Sequence, residues 1–277
     1  IRAEVGANVE AIDRNAKTIT YKVANESKTI AYDKLILSQG GNPMQPQVAG
    51  IENLPHFSLR WVEDMDAIIA AADKAQHKHV AVVGGGFIGI EVAEAFIERK
   101  FQVTLLEFAP YVMPNLDAEF SNLARRTLEE KGVKVRTQTT IQSAESGGKL
   151  TLSDGSRLEV DFAVFAAGVR PETSLAQKAG LELGKTGGVV VNDFMQTSDP
   201  DIYAVGDMVE IQNRITHAPT RVPLAGPANR QGRLAAENAI AGNRCRYRGA
   251  TGSAVIKIFD RTLAFTGLTE KAAKQAG

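Results

Sequence analysis

The chain has 277 residues, 44% of them hydrophobic, which is enough for two domains with sizeable cores and contains no apolar run of membrane-spanning length. Its 32 lysines and arginines balance 32 aspartates and glutamates, so nothing points to nucleic acid or an anionic membrane as the main partner. The single cysteine, Cys245, excludes an internal disulfide, the four histidines (His56, His77, His79, His217) lack metal-ligand spacing, and no signal peptide opens the chain, so a cytoplasmic, reducing compartment without a bound metal is the default expectation.

Residues 5–12, 17–23 and 28–32 alternate as short strands, with the polar Ala24-Asn25-Glu26-Ser27 as a turn between the last two. They lead into an apolar strand, DKLILSQG at 33–40, after which Gly41-Asn42-Pro43 and Pro46 break regular structure. Residues 61–75 read as a crossover helix, with Trp61 packing at the crossover rather than serving as a stacking platform.

The stretch 79–107, HVAVVGGGFIGIEVAEAFIERKFQVTLLE, reads as strand, glycine turn, helix, strand. Gly84 to Gly89 fit G-x-G-x-x-G in the setting that a dinucleotide-binding fingerprint requires. Gly84 allows the tight turn, Gly86 lets backbone approach a pyrophosphate, and Gly89 lets the helix pack closely on the strand. The phosphates are expected at the helix N-terminus, where unpaired N–H groups and the dipole favour an anion. Glu107, eighteen residues past Gly89, stands where an acid accepts from a ribose 2′-hydroxyl, and Phe108 and Ala109 offer no cation for a 2′-phosphate. NADH is therefore expected over NADPH. On the same helix, Glu94 and Glu98 read as a solvated face, whereas Glu91, close to the loop, is open to either a surface or a functional role.

A loop with Pro110 and Pro114 precedes a helix at 117–131, with Phe120, Leu123, Thr127 and Leu128 on one face and Gly132 as its stop. A strand at 133–135 and a hairpin, 149–152 and 157–160 around Asp154-Gly155, follow, then DFAVFAAG at 161–168. The chain repeats itself here: a ribbon followed by an Asp-led apolar strand and glycine occurs at 17–40 and at 149–168, with Asp33 and Asp161 separated by 128 residues. The repeat implies two nucleotide-binding domains of one design, the first with its glycine loop before Ile1 and hence a chain truncated at the N-terminus. The alternative is a β-rich cap over 1–58. Further on come a turn and strand at 187–192, TSDPDIYAVGD at 197–207 presenting a carboxylate at a strand's carboxyl end, and PLAGP before a helix at 228–241 stopped by Gly242.

GGGFIGIE at 84–91, the two strand-glycine crossovers ending at Gly40 and Gly168, TSDPDIYAVGD, and PLAGPANRQGRLAAENAIAG at 223–242 together carry a family likeness. The chain resembles the FAD-dependent pyridine nucleotide-disulfide oxidoreductases, and within them the single-cysteine branch of NADH oxidases, CoA-disulfide reductases and NADH-dependent persulfide reductases. The fold so implied is α/β: two interleaved Rossmann-like domains of the three-layer β/β/α type plus the start of an α+β dimerisation domain. An FAD domain of 1–60 and 172–248, an NADH domain of 61–171 and a dimerisation segment of 249–277 are expected. The resemblance implies that Asp207 holds the ribityl chain of FAD, that Val9 lies near its adenine, and that Ala225 and Gly226 meet the flavin pyrimidine edge. It places Glu91 near the nicotinamide, Gly168 along the same cofactor, and Asn229 against a CoA-type substrate.

The activity implied is hydride transfer from NADH to FAD and on, through a redox cysteine, to a CoA disulfide or persulfide. The alternatives are an NADH oxidase or peroxidase, a cysteine-free ferredoxin- or quinone-type reductase, and a nucleotide-binding module that is no enzyme. The redox cysteine of that branch is absent from these residues, so no catalytic residue is assigned and the chain alone is expected to be inactive. Cys245 lies between Arg244 and Arg246, which favour a thiolate, but reads as a solvated loop thiol. Arg230, Arg233, Arg244, Arg246 and Arg248 form a basic cluster that reads as surface charge, with CoA phosphates as the alternative. The intact parent is expected to be a homodimer.

Overall fold

The computed structural model describes residues 1–277 and resolves into two compact units, one of residues 1–41 and 170–252 and the other of 42–169 and 253–277. Its main helices are α1 (Val62–Lys74), α2 (Phe87–Glu98), α3 (Ala118–Glu130), α4 (Ser174–Lys178), α5 (Ala225–Ala241) and α6 (Glu270–Ala276).

In the second unit, five parallel strands lie in the order His56–Ser58, Phe162–Phe165, His79–Val83, Gln102–Glu107, Val133–Thr137. Their side chains alternate between faces. Val80, Val82, Val103, Leu105, Val133, Val135, Phe162 and Val164 enter one core with residues of α1, α2 and α3. Ala81, Val83, Leu106, Ala163 and Phe165 enter the other, against the antiparallel ribbon Ile141–Glu145, Lys149–Leu152, Arg157–Glu159. Alternation along fully buried strands thus produces the expected β/β/α layering.

The division of the chain differs from the one expected. Residues 42–60 belong to the second unit because His56–Ser58 forms the edge strand of its sheet, and Val48 and Leu54 bury with Leu150 and Leu152. Residues 253–277 also belong there rather than standing as a separate segment. Ile256, Ile258 and Leu263 of the hairpin Ala254–Ile258, Arg261–Phe265 enter the α2 and α3 core. Glu94, expected in solvent, is what anchors this hairpin: it accepts the Phe259 N–H at 2.7 Å and pairs with Lys257 at 3.1 Å. The buried face of α3 also differs. Ser121, Ala124, Thr127 and Leu128 face inward, whereas Phe120 and Leu123 are exposed, because the stripe starts one residue later than the expected one.

The first unit holds the ribbon Asn8–Asp13, Thr18–Val23, Glu26–Ala31, a parallel pair Leu35–Leu37 with Ile202–Ala204, and the small sheet Val189–Val190, Val209–Gln212, Pro219–Thr220. The turn between the last two ribbon strands is tighter than expected. Val23 pairs with Glu26, leaving only Ala24 and Asn25, both at positive φ, as a two-residue turn. The ribbon is tied down by charge. Arg14 reaches Asp199 at 2.7 Å, while Lys17 and Lys34 both reach Asp201 at 2.5 Å.

Phe162 is buried with its ring edge-to-face on Phe57, Phe96 and Phe101 at centroid distances of 6.0, 5.5 and 6.1 Å. Phe162→Ala should lower unfolding free energy by roughly 3–5 kcal/mol, read from the denaturant midpoint at constant slope. Hydrogen bonds from Lys17 and Lys34 hold the Asp201 carboxyl below the ordinary carboxylate range. Its contribution to stability is therefore present above the unfolded carboxyl pKa and lost as pH falls through the lower folded one, below about pH 4. Asp201→Asn should remove that part of the acid limb, measured as unfolding free energy against pH.

Candidate functional site

The strand His79–Val83 ends in Gly84, whose φ of +112° turns the chain and whose N–H donates to the Leu106 carbonyl at 2.8 Å. A side chain is excluded there. A Cβ would lie 2.3 Å from the Ala166 oxygen, and one on Gly89 would lie 1.8 Å from the Gly84 oxygen. Gly89 thus packs the helix against the loop itself as well as the strand. Gly86 differs from both: it is the N-cap of α2 at φ −82°, and a Cβ on it would meet no atom within 4 Å. No side chain caps α2, so its first-turn N–H groups lack a side-chain acceptor, the arrangement that suits an anion.

Glu107 closes the strand Gln102–Glu107 and is buried. Its two carboxylate oxygens accept the N–H of Gly85 and of Ala109, each at 2.6 Å. Each oxygen retains a second lone pair, so a ribose hydroxyl has an acceptor here. Gly85 is the residue that sequence reasoning missed. A Cβ on it would stand 3.1 Å from Glu107 Oε2 and 3.0 Å from Val112 Cγ1, a closeness that no motif position signals. Glu91 is exposed on α2, and Gly168, at φ +111°, accepts the Met44 N–H at 2.9 Å.

In the first unit the buried strand Ile202–Ala204 runs through Val205 to Gly206 at φ +82°, and a single 3-10 turn, Gly206–Met208, carries the partly exposed Asp207. Helix α5 begins at Ala225, three residues earlier than expected. Pro227 is tolerated as its third residue because N–H groups of a first turn have no helical partner to lose. Ala225 and Gly226 therefore lie within the first turn, without a side-chain cap, and a Cβ on Gly226 would meet nothing within 4 Å. The fold brings this helix start and the Asp207 turn together, for the Gln231 side chain of α5 accepts the Gly206 N–H at 2.7 Å. Val9 stands apart on the ribbon strand Asn8–Asp13, opposite Tyr21, and is exposed, as is Asn229 on α5.

Three further expectations resolve locally. Cys245 donates its thiol to Glu237 at 2.9 Å, and that hydrogen bond, with burial, pushes the thiol pKa up despite Arg244. It is a half-buried structural thiol rather than a solvated or activated one. Arg246 is committed to Asp193 at 3.5 Å and to the Phe194 ring at 5.4 Å, while Arg230 and Arg233 are exposed. Trp61 does not pack at the crossover: it is 60% exposed, with the Arg60 guanidinium 4.5 Å from its ring.

The glycines separate by what surrounds them. Gly89→Ala should destabilise the chain by several kcal/mol, because backbone rather than a movable side chain blocks the new methyl, whereas Gly86→Ala should change stability by less than about 1 kcal/mol. Chemical denaturation of the two variants side by side checks both outcomes.

Known proteins share this fold. An NADH oxidase of Methanocaldococcus jannaschii is 39% identical over 241 residues, covering 86% of this chain and 53% of that protein. Among solved structures, reduced CoADR-RHD from Bacillus anthracis superposes with a TM-score of 0.94 at 42% identity, covering 97% of this chain and 49% of the other. A NAD-dependent persulfide reductase from A. fulgidus superposes with a TM-score of 0.93 at 36% identity, covering 98% and 50%. The chain spans about half the length of each of these relatives. Residues 1–232 match the family described as pyridine nucleotide-disulphide oxidoreductase, whose members use FAD and NAD(P)H. This chain belongs to that family.

Proposed function

We propose that this chain is the nucleotide-binding part of a flavoprotein oxidoreductase that oxidises NADH and delivers the electrons to a CoA disulfide or persulfide. The observation that carries the reading is the uncapped start of α2 at Gly86, open to a ligand, with the buried Glu107 carboxylate at the end of the neighbouring strand. In this reading the unit of 42–169 and 253–277 takes NADH. Gly84 and Gly89 shape the loop, the N–H groups after Gly86 take the pyrophosphate, and Glu107 takes the adenosine ribose. Glu91 and Gly168 line the nicotinamide half. The unit of 1–41 and 170–252 takes FAD, with Asp207 on the ribityl chain, Val9 near the adenine, and Ala225 and Gly226 at the pyrimidine edge.

FAD, when bound, supplies the two-electron relay between the nicotinamide and the acceptor. The chain's own part is electrostatic. The start of α5 directs unpaired N–H groups and the positive end of a 17-residue helix at whatever lies beside Ala225 and Gly226, which favours negative charge there. Asn229, on the same exposed stretch, is assigned to the CoA-type substrate. Cys245 is not assigned as the redox thiol: its hydrogen bond to Glu237 raises its pKa rather than favouring a thiolate. A persulfide or CoA-disulfide acceptor draws support from the two structural neighbours at TM-scores of 0.94 and 0.93, and a homodimeric parent is part of the same reading.

Anaerobic titration of the intact protein with NADH, followed by flavin absorbance, tests the proposal. Bleaching with a transient long-wavelength thiolate-to-flavin band is the expected result. Bleaching without that band would move the assignment to a cysteine-free flavin reductase, and a protein that binds no flavin would refute the roles of Asp207, Ala225 and Gly226. Gly86→Ala should weaken NADH at least ~10-fold by placing a methyl where the pyrophosphate approaches. Glu107→Ala should raise KM for NADH by roughly 10-fold and erode the preference over NADPH, both read from steady-state kinetics.

A further inference from the structure

Two motifs far apart in the chain, TSDPDIYAVGD at 197–207 and PLAGPANRQGR at 223–233, supply the two flavin contacts just proposed. A single carboxamide joins them. Gln231 is 1% exposed, and its Oε1 accepts the Gly206 N–H at 2.7 Å. Tyr247, buried on the segment following α5, has its phenol pKa raised by burial, and the Gln231 side chain opposes that rise. With Oε1 taken by the Gly206 N–H, the amide nitrogen is left as a donor.

The placement matters because Gly206 is the last residue before Asp207 and has φ +82°, so its N–H is where the direction of the turn is fixed. Gln231 lies on the same helix as Ala225 and Gly226, less than two turns further along. We propose that Gln231 is a positioning residue that sets the Asp207 carboxylate relative to the N-terminus of α5, making the two halves of the flavin cradle one rigid unit. This rests on the flavin reading of Asp207, Ala225 and Gly226. Glutamine is suited to the task because it accepts from an N–H while uncharged. Leucine would leave the Gly206 N–H without its acceptor, and asparagine is one methylene shorter.

The test uses the intact protein stripped of flavin, titrated with FAD by fluorescence, with thermal unfolding of the flavin-free form and the visible absorbance of the reconstituted form recorded alongside. Gln231→Leu should weaken FAD by ~10- to 100-fold, the loss expected for an unsatisfied buried N–H, and should shift the flavin band. Gln231→Glu keeps an acceptor for Gly206 and should hold affinity within ~3-fold of the parent, whereas Gln231→Asn should not; this pair decides the matter if the leucine variant does not fold. Wild-type FAD affinity and spectrum in Gln231→Leu, or in both Gln231→Asn and Gln231→Glu, would overturn the positioning role. So would a lowered melting temperature without a change in FAD affinity, because that marks an ordinary core residue. Asp207→Asn separates the layers. If it binds FAD as the parent does, the flavin reading of Asp207 falls; if it binds weakly while Gln231→Leu binds normally, only the positioning role falls.

Discussion

The glycine loop depends on a carboxylate that has been taken out of water. Burying such a group costs several kcal/mol unless its lone pairs are met, and Glu107 meets them with the N–H groups of Gly85 and Ala109 at 2.6 Å each. Those two bonds join three pieces of chain: the end of one strand, the loop after its neighbour, and the segment that follows Glu107. Glu107 thus holds Gly85, the residue between the turn at Gly84 and the start of α2 at Gly86. It also explains why Gly85 carries no side chain, since a Cβ would crowd the Glu107 oxygen. Held in this way the carboxylate is rigid, and a rigid acceptor loses little on binding, which suits Glu107 to the ribose role proposed above.

The rest of the second unit follows from strands buried on both faces. With Val80, Val82 and Phe162 turned to the helices and Ala81, Val83 and Phe165 to the ribbon, a register slip of one residue would exchange two cores of different shape. Asp161 guards the register from the other end by accepting the N–H groups of Gln76, His77 and His79 at 2.9, 3.1 and 2.9 Å. Although burial opposes ionisation, these bonds prevail and its carboxyl stays below the ordinary range. The first unit repeats the plan of ribbon, short parallel strand and positive-φ glycine with different fastenings. There Asp33 is exposed, and it is Asp201 of a distant motif whose carbonyl takes the Leu35 N–H at 2.9 Å and whose carboxylate takes Lys17 and Lys34.

Legibility tracked how local the cause was. The bounds of α1, with Trp61 and Ala75 as caps, and of α3, with Asp117 and Lys131 as caps, were readable because capping and periodicity are written within a few residues. The glycine loop was readable for the same reason, since steric exclusion at Gly84 and Gly89 acts on neighbouring backbone. The strands Ile141–Glu145 and Val209–Gln212 were not, because they are fixed by partners elsewhere in the chain rather than by a strong alternation of their own. Glu94 was misread in the same way: one helix shows a row of acids, and only the distant Lys257 and Phe259 distinguish Glu94 from Glu98. The early start of α5 was hidden by Pro227, whose presence argues against a helix interior but is silent about a first turn.

What the two units share is a long helix that starts without a side-chain cap beside a positive-φ glycine. A side chain at an N-cap is worth about 1 kcal/mol, and serine, threonine, aspartate or asparagine supplies it readily. Neither α2, capped by Gly86, nor α5, capped by Leu224, has one; α3 and α4 lack it too, while in α6 Thr269 accepts the Ala272 N–H at 3.1 Å. A cap would satisfy an N–H and at the same time occupy the space in front of it. What sets these two starts apart is their place: a 12-residue and a 17-residue helix, each beginning beside a positive-φ glycine at a strand's end, so that the positive end of the dipole lies there without a side-chain acceptor. In the reading proposed above, the negative groups of the two cofactors lie at these helix starts, with the buried Glu107 and Gln231 bonding the loop and the turn beside them.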